Sequence, residues 1–232
     1  YQDYIPGLEE TVKMIKYCNS LNPHLRYEIG TEESIKRFEV NELDGFISDL
    51  MYLLGQELFN KISYLVIQSG TSLKENTQTG NYDKDRLVKM VELCKRYKLL
   101  SKEHNGDYID SKIIKEKFDL GLDAINIAPE FGLIETKTYL TAIKKLENSD
   151  QAIDILNEFY RICLESGRWK KWVDPLFDPD KNRIKLIEIC GHYIFSNPEF
   201  IKNVKSQLPS EIDNKVKDNI KKKLKELHGL IM

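Results

Sequence analysis

Four short segments of this chain end in side chains able to do chemistry. They read Gly30-Thr31-Glu32-Glu33, Gln68-Ser69-Gly70-Thr71-Ser72, Glu103-His104-Asn105-Gly106-Asp107 and Asn126-Ile127-Ala128-Pro129-Glu130. Carboxylate, amide, hydroxyl and imidazole groups stand there beside glycine turns. A glycine turn lets backbone N–H groups approach phosphate oxygens closely. Such a set suits a polyhydroxylated, phosphorylated ligand. Each residue also has a plainer reading. His104 can be a metal ligand, a phosphate-site residue or a packed histidine that only holds a strand end. Glu32 can cap or salt-bridge the next segment, Thr71 can cap its loop, and Asn105-Gly106 can be only a turn. The recurrence of this chemistry at four consecutive segment ends is what points to a sugar-phosphate site.

The elements behind these ends follow from periodicity. RYEIGT (26–31), ISYLVIQSG (62–70), YKLLSKEH (97–104) and LDAINIA (122–128) are short, rich in β-branched or aromatic residues, and closed by polar or glycine-bearing sequence. Between them, residues 40–59, 83–97 and 111–121 place apolar residues at three- and four-residue spacing. Asp83 is the expected N-cap of the second of these helices, and Gly121 closes the third. Strand–helix alternation predicts an α/β fold with parallel strands and right-handed crossovers. In such folds the carboxyl ends of the strands converge on one pocket. Beyond residue 130 no strand pattern appears, and five helices are expected up to residue 230.

Composition narrows the function classes. The 232 residues are 41% hydrophobic and 31% charged, with a net charge of −2, which gives no general electrostatic drive toward nucleic acid or an anionic membrane. No apolar run approaches the roughly 20 residues of a membrane span. YQDYIPGLEE lacks the basic start and apolar stretch of a secretory leader. Cys18, Cys94, Cys163 and Cys190 show no metal-ligand spacing and are expected as reduced thiols in a cytoplasmic protein. The lysine-rich final helix interleaves acids and carries no aromatics, so it is expected to be a solvated face. Trp169 and Trp172 of RWKKW are expected to pack a helix end onto a core.

The succession YEIGTEES, LVIQSGTSLKENTQTGNYD, LLSKEHNGDYI, AINIAPEFG and RWKKW resembles the tagatose-bisphosphate aldolase family, from about residue 8 to about residue 210. Within it, the segments look like the accessory, non-catalytic subunit branch of class II D-tagatose-1,6-bisphosphate aldolase. The resemblance implies a (βα)8 barrel related to class II fructose-bisphosphate aldolases. This chain would hold the second half of it, four βα units over residues 1–148, followed by a helical extension over 149–232. It also implies Zn2+ or another divalent metal, held by strand-end histidines and polarising a ketose carbonyl. His104 would be the metal ligand and a catalytic group, and Glu32 a residue that orients the metal's ligands or acts as acid/base. Gln68, Gly70, Thr71 and Asn126 would contact substrate, with Asn105, Gly106 and Asp107 at its phosphate end. Leu73 stands where catalytic relatives place a further histidine, and leucine cannot bind a metal.

Two functions follow from the resemblance. One is metal-assisted aldol cleavage of a ketose bisphosphate. The other is an accessory subunit that stabilises or activates a class II aldolase partner. Half a barrel would leave an apolar face and strand edges uncovered. Its expected partners are therefore an N-terminal barrel half in a longer product that precedes Tyr1, another chain, or a second copy of this one.

Overall fold

The computed structural model describes residues 5–31 and 36–231. The strands are β1 (Tyr27–Gly30), β2 (Ile62–Ile67), β3 (Leu73–Lys74), β4 (Thr77–Gln78), β5 (Leu100–Glu103) and β6 (Ala124–Ile125). The α-helices are α1 (Ile5–Leu21), α2 (Val40–Phe59), α3 (Lys84–Arg96), α4 (Ser111–Asp119), α5 (Pro129–Lys144), α6 (Ser149–Ser166), α7 (Arg183–Cys190), α8 (Pro198–Asn203) and α9 (Ile212–Ile231). Contacts divide the chain into two units. One holds residues up to Ser72 together with Thr79–Asn126, and the other Leu73–Gln78 together with Ile127 onward.

In the first unit all four long-range strands are parallel, in the order β1-β2-β5-β6. Each lies inside an expected strand segment, shortened where its polar end turns into a loop. Asp83 caps α3 as expected, its carboxylate accepting from the Arg86 N–H at 3.0 Å. The register pairs Ile29 with Leu65, and Leu65 with Ser101. That face carries Ile29, Leu65 and Ile67 into a core with Leu43, Ile47 and Leu50 of α2 and Leu87, Met90 and Cys94 of α3. The alternate residues Glu28, Tyr64, Leu100 and Lys102 face the other way. Among the described residues no helix joins them in the core cluster; Leu100 stays 44% exposed, while Val66 on the same face is buried. Four parallel strands with helices on one face are compatible with part of an α/β barrel. The described residues do not close one.

α1 has no counterpart in the sequence expectations. Its buried Leu8, Val12 and Ile15 make a narrow stripe, while Met14, Tyr17 and Leu21 are exposed and blur the period. Residues 73–78, which lie outside every expected strand and helix, form the antiparallel pair β3–β4. Among the described residues no helix is long and apolar enough to cross a membrane.

The second unit is helical. Phe200 stands at the middle of an aromatic cluster, with its ring centroid 5.1 Å from Phe159 and 5.3 Å from Tyr139 and Phe195. Asn148 caps α6, and Gly167 ends it in the left-handed conformation at φ 63°. The residue 148/149 boundary of the sequence reading falls between α5 and α6, and in the structure α5 packs on α6, α7 and α9. Trp169 packs against this core, its indole N–H donating to the Leu164 carbonyl at 3.2 Å. Cys94, Cys163 and Cys190 are buried, and all four thiols are free. Burial, reinforced by Asp123, pushes the Cys94 thiol up to about 12.

One acid-dependent feature lies here. Glu158 accepts hydrogen bonds from Arg161 at 2.8 and 2.9 Å and from Asn203 at 2.8 Å. The Arg161 guanidinium first, then Asn203, hold its carboxyl at about 2, against an ordinary 4.5. A carboxyl depressed by folding stabilises the fold fully above its unfolded value and loses that contribution as pH falls through its folded one. Thermal unfolding followed through that acid window should therefore show a drop in midpoint that is smaller in Glu158→Gln. Equal drops in the two proteins would rule this out.

Candidate functional site

The polar ends of β1, β2, β5 and β6 lie together in the first unit, and many of their groups bond one another. The Gln68 side chain accepts from the Phe38 N–H at 2.8 Å and donates to the Lys36 carbonyl at 2.9 Å. Arg86, buried, donates from Nε to the Gln68 carbonyl at 2.7 Å, and also to Phe38 O and Glu39. Gln68 and Arg86 thus clasp the segment that leads into α2. Thr71 Oγ1 donates to the His104 carbonyl at 2.8 Å. The Gly106 N–H donates to Asn126 O at 2.9 Å, and the Asn126 N–H to Glu103 O at 2.8 Å. These donors tie one strand end to the next.

The glycines are positioned by close approach. Gly70 has φ 94°, and a Cβ there would lie 1.9 Å from the Asn81 carbonyl oxygen. A Cβ at Gly106 would lie 2.3 Å from Ile125 Cγ1. Asn105, at φ 58°, takes the left-handed conformation that asparagine tolerates better than most residues. Gly70→Ala is expected to cost about 1–3 kcal/mol through backbone strain alone, and more if Asn81 cannot move. Denaturant unfolding measures it, and an unchanged midpoint would contradict the geometry. Asp107 is buried, and Glu32 lies outside the described residues.

The outward groups form a different set. Lys102 Nζ lies 2.5 Å from Glu28 Oε2, and His104 Nε2 lies 3.0 Å from Glu28 Oε1. One carboxylate on β1 is therefore shared by an ammonium and an imidazole from the end of β5. The Tyr64 ring lies beneath Lys102, 5.6 Å from Nζ to its centroid. Burial pushes the Glu28 carboxyl up, but hydrogen bonds from Lys102 and then His104 outweigh it and hold the group below its ordinary value. Asn126, exposed, stands at the adjacent strand end. The sequence singles out His104 and Asn126 as candidates, and Glu28 and Lys102 are not among them. The signal was present: in YEIG and KEH, two-residue alternation puts Glu28 on the face of Gly30, and Lys102 on the face of His104.

A catalytic zinc site takes three protein ligands. Among the described residues no group of three His, Cys, Asp or Glu side chains is placed to hold a metal ion. Glu28 and His104 make two, and the Lys102 ammonium on the same carboxylate repels a cation. Leu73 lies in the β3–β4 pair. Among the described residues the candidate ligands at His104 stop at two, and Glu32, the acid that the resemblance implies there, lies outside them.

Behind this face sits a buried charge network. Lys117 Nζ donates to Glu103 Oε2 at 2.6 Å and to Ser69 Oγ at 2.7 Å, and Ser69 N–H donates to Glu103 Oε1 at 3.0 Å. Both charged side chains are 0% exposed. Lys117 also lies 4.4 Å from the Tyr82 ring centroid. Burial, then the negative charges of Glu116, Glu103 and Asp83, push the Tyr82 hydroxyl up to about 12. The network locks the end of β5 to the end of β2, immediately before His104.

No protein-family model and no curated protein sequence matches this chain. Solved structures do. The chain is similar to a probable tagatose 6 phosphate kinase from Sinorhizobium meliloti, at TM-score 0.59 and 16% identity, over 78% of this chain and 48% of that one. It is also similar to fructuronate–tagaturonate epimerase from Cohnella laeviribosi. The glycerol complex matches at TM-score 0.60 and 12% identity, and the native form at 0.56 and 11%, each over 95% of this chain and 50% of that one. The likeness is one of fold. This chain spans about half the length of each of these proteins.

Proposed function

We propose that this chain is part of a (βα)8-type barrel of carbohydrate metabolism, and that it binds a sugar phosphate at the carboxyl ends of β1, β2, β5 and β6 without a metal of its own. The convergence of Lys102 and His104 on Glu28, on the uncovered face of the sheet, carries this reading. The ammonium supplies charge for a phosphate, the carboxylate accepts from sugar hydroxyls, and Asn126 offers both a donor and an acceptor. The fold neighbours, a probable tagatose 6 phosphate kinase and a fructuronate–tagaturonate epimerase, support a sugar as the substrate class, and the first of them supports a phosphorylated one. In this reading the remaining strands come from another segment or chain. The protein acts in the cytoplasm as the accessory, non-catalytic partner of a class II aldolase. The ligand set at His104 favours that role over metal-assisted aldol cleavage.

The test is cleavage of tagatose and fructose 1,6-bisphosphates, with and without chelator, by this chain alone and with an added class II aldolase. The expected result is no turnover alone and greater activity or lifetime of the added enzyme. Chelator-sensitive turnover that disappears in His104→Ala would overturn the proposal and make the chain a metal aldolase.

A further inference from the structure

The lysine-rich face of α9 belongs to the second unit and has no part in the strand-end site. Where α9 meets α5, a cleft of about 460 Å³ opens. Such a volume accommodates a small organic ligand. Lys137 of α5, Lys145 at its C-cap and Lys215 of α9 line it, and Asp218 is the one carboxylate among the described lining residues. Asn219 Nδ2 donates across it to Thr138 Oγ1 at 2.9 Å, and the Thr138 hydroxyl in turn donates to Ile134 O at 2.8 Å. Ile134 and Ala142 add apolar surface.

The charge pattern is unlike that of neighbouring contacts. Lys223 of α9 meets Glu130 of α5 at 2.8 Å, and Lys205 meets Asp213 at 2.8 Å. Those lysines are matched by carboxylates. Lys137, Lys145 and Lys215 make no ion pair among the described residues, although Asp218 lies one turn from Lys215. Lys137 lies on α5 and Lys145 caps its end, and between them in sequence stand Thr138, Thr141 and Ala142. Three exposed lysines thus line a concave surface with partial apolar lining, and Asp218 is the one carboxylate among the lining residues.

We propose that the cleft between α5 and α9 binds a small phosphate ester, its phosphate among Lys137, Lys145 and Lys215 and its carbon skeleton against Ile134 and Ala142. This site is independent of the strand-end site and of the function proposed for it.

The probe is inorganic pyrophosphate, titrated calorimetrically into the full chain at constant ionic strength. Saturable binding is expected. Lys137→Gln and Lys215→Gln should each weaken it by about tenfold, the scale of one charged hydrogen bond. Asp218→Asn should tighten it, because a repelling carboxylate is removed. Lys221→Gln/Lys222→Gln, which alters the same helix outside the cleft, should leave it unchanged. Absence of saturable binding would overturn the proposal. So would equal weakening by the Lys221/Lys222 pair, which would mean diffuse attraction to the helix. Loss with Lys102→Ala alone would place the anion at the strand ends and overturn it as well.

Discussion

Replacing Lys117 with methionine is expected to lower the unfolding free energy by about 3–5 kcal/mol, the cost of leaving a buried carboxylate without its partner. Lys117 and Glu103 are both 0% exposed and 2.6 Å apart. Methionine keeps most of the side-chain volume, so a cavity contributes little. The loss comes from the charge left on Glu103, which still accepts from Ser69 N–H but no longer faces a cation. Lys117→Met/Glu103→Gln should recover part of it, because the amide keeps an acceptor for Ser69 and carries no charge. Denaturant unfolding of the three proteins measures both effects. A loss below about 1 kcal/mol for Lys117→Met, the range of exposed ion pairs, would mean that water reaches the network.

The second large effect concerns the ligand. Lys102→Ala should weaken binding of a ketose bisphosphate by about 10- to 100-fold, as expected for removal of one charge-assisted hydrogen bond. The fold should tolerate the change. Glu28 and His104 keep side chains about one third exposed, so water can replace the lost contact with Glu28. Thermal unfolding near that of the unaltered chain, with weakened binding, is the expected combination. Unchanged affinity would reduce the Glu28–Lys102 pair to a surface ion pair. Added salt should weaken binding to the unaltered chain more than to Lys102→Ala, because the ammonium term is screened.

Much of the fold was legible because its elements are locally consistent. β-branched runs, three- and four-residue spacing, and Asp83 as a cap all point the same way as the packing. α1 escaped because its buried stripe is narrow, and β3–β4 because a two-residue pair carries almost no periodic signal. The candidate site was legible in outline more than in detail. Strand ends rich in polar residues marked the region, but sequence does not show which side chains bond the protein itself. Gln68 and Thr71 read as ligand contacts, and each bonds backbone across to another loop or strand end. The Gly106 N–H, an attractive phosphate donor on sequence grounds, donates to Asn126 O. Glu28 and Lys102 read as ordinary strand charges, because their meeting depends on β1, β2 and β5 being neighbours in that order. That order is a long-range fact no local pattern carries.

In the proposed function, Glu28, Lys102 and His104 bind a sugar phosphate on the sheet face that no helix covers among the described residues. The most direct test is calorimetric titration of tagatose 1,6-bisphosphate into the chain and into Lys102→Ala, both in the presence of chelator. Saturable, chelator-insensitive binding that weakens at least about tenfold in the variant is the result predicted. Binding that chelator abolishes, or that Lys102→Ala leaves untouched, would contradict it.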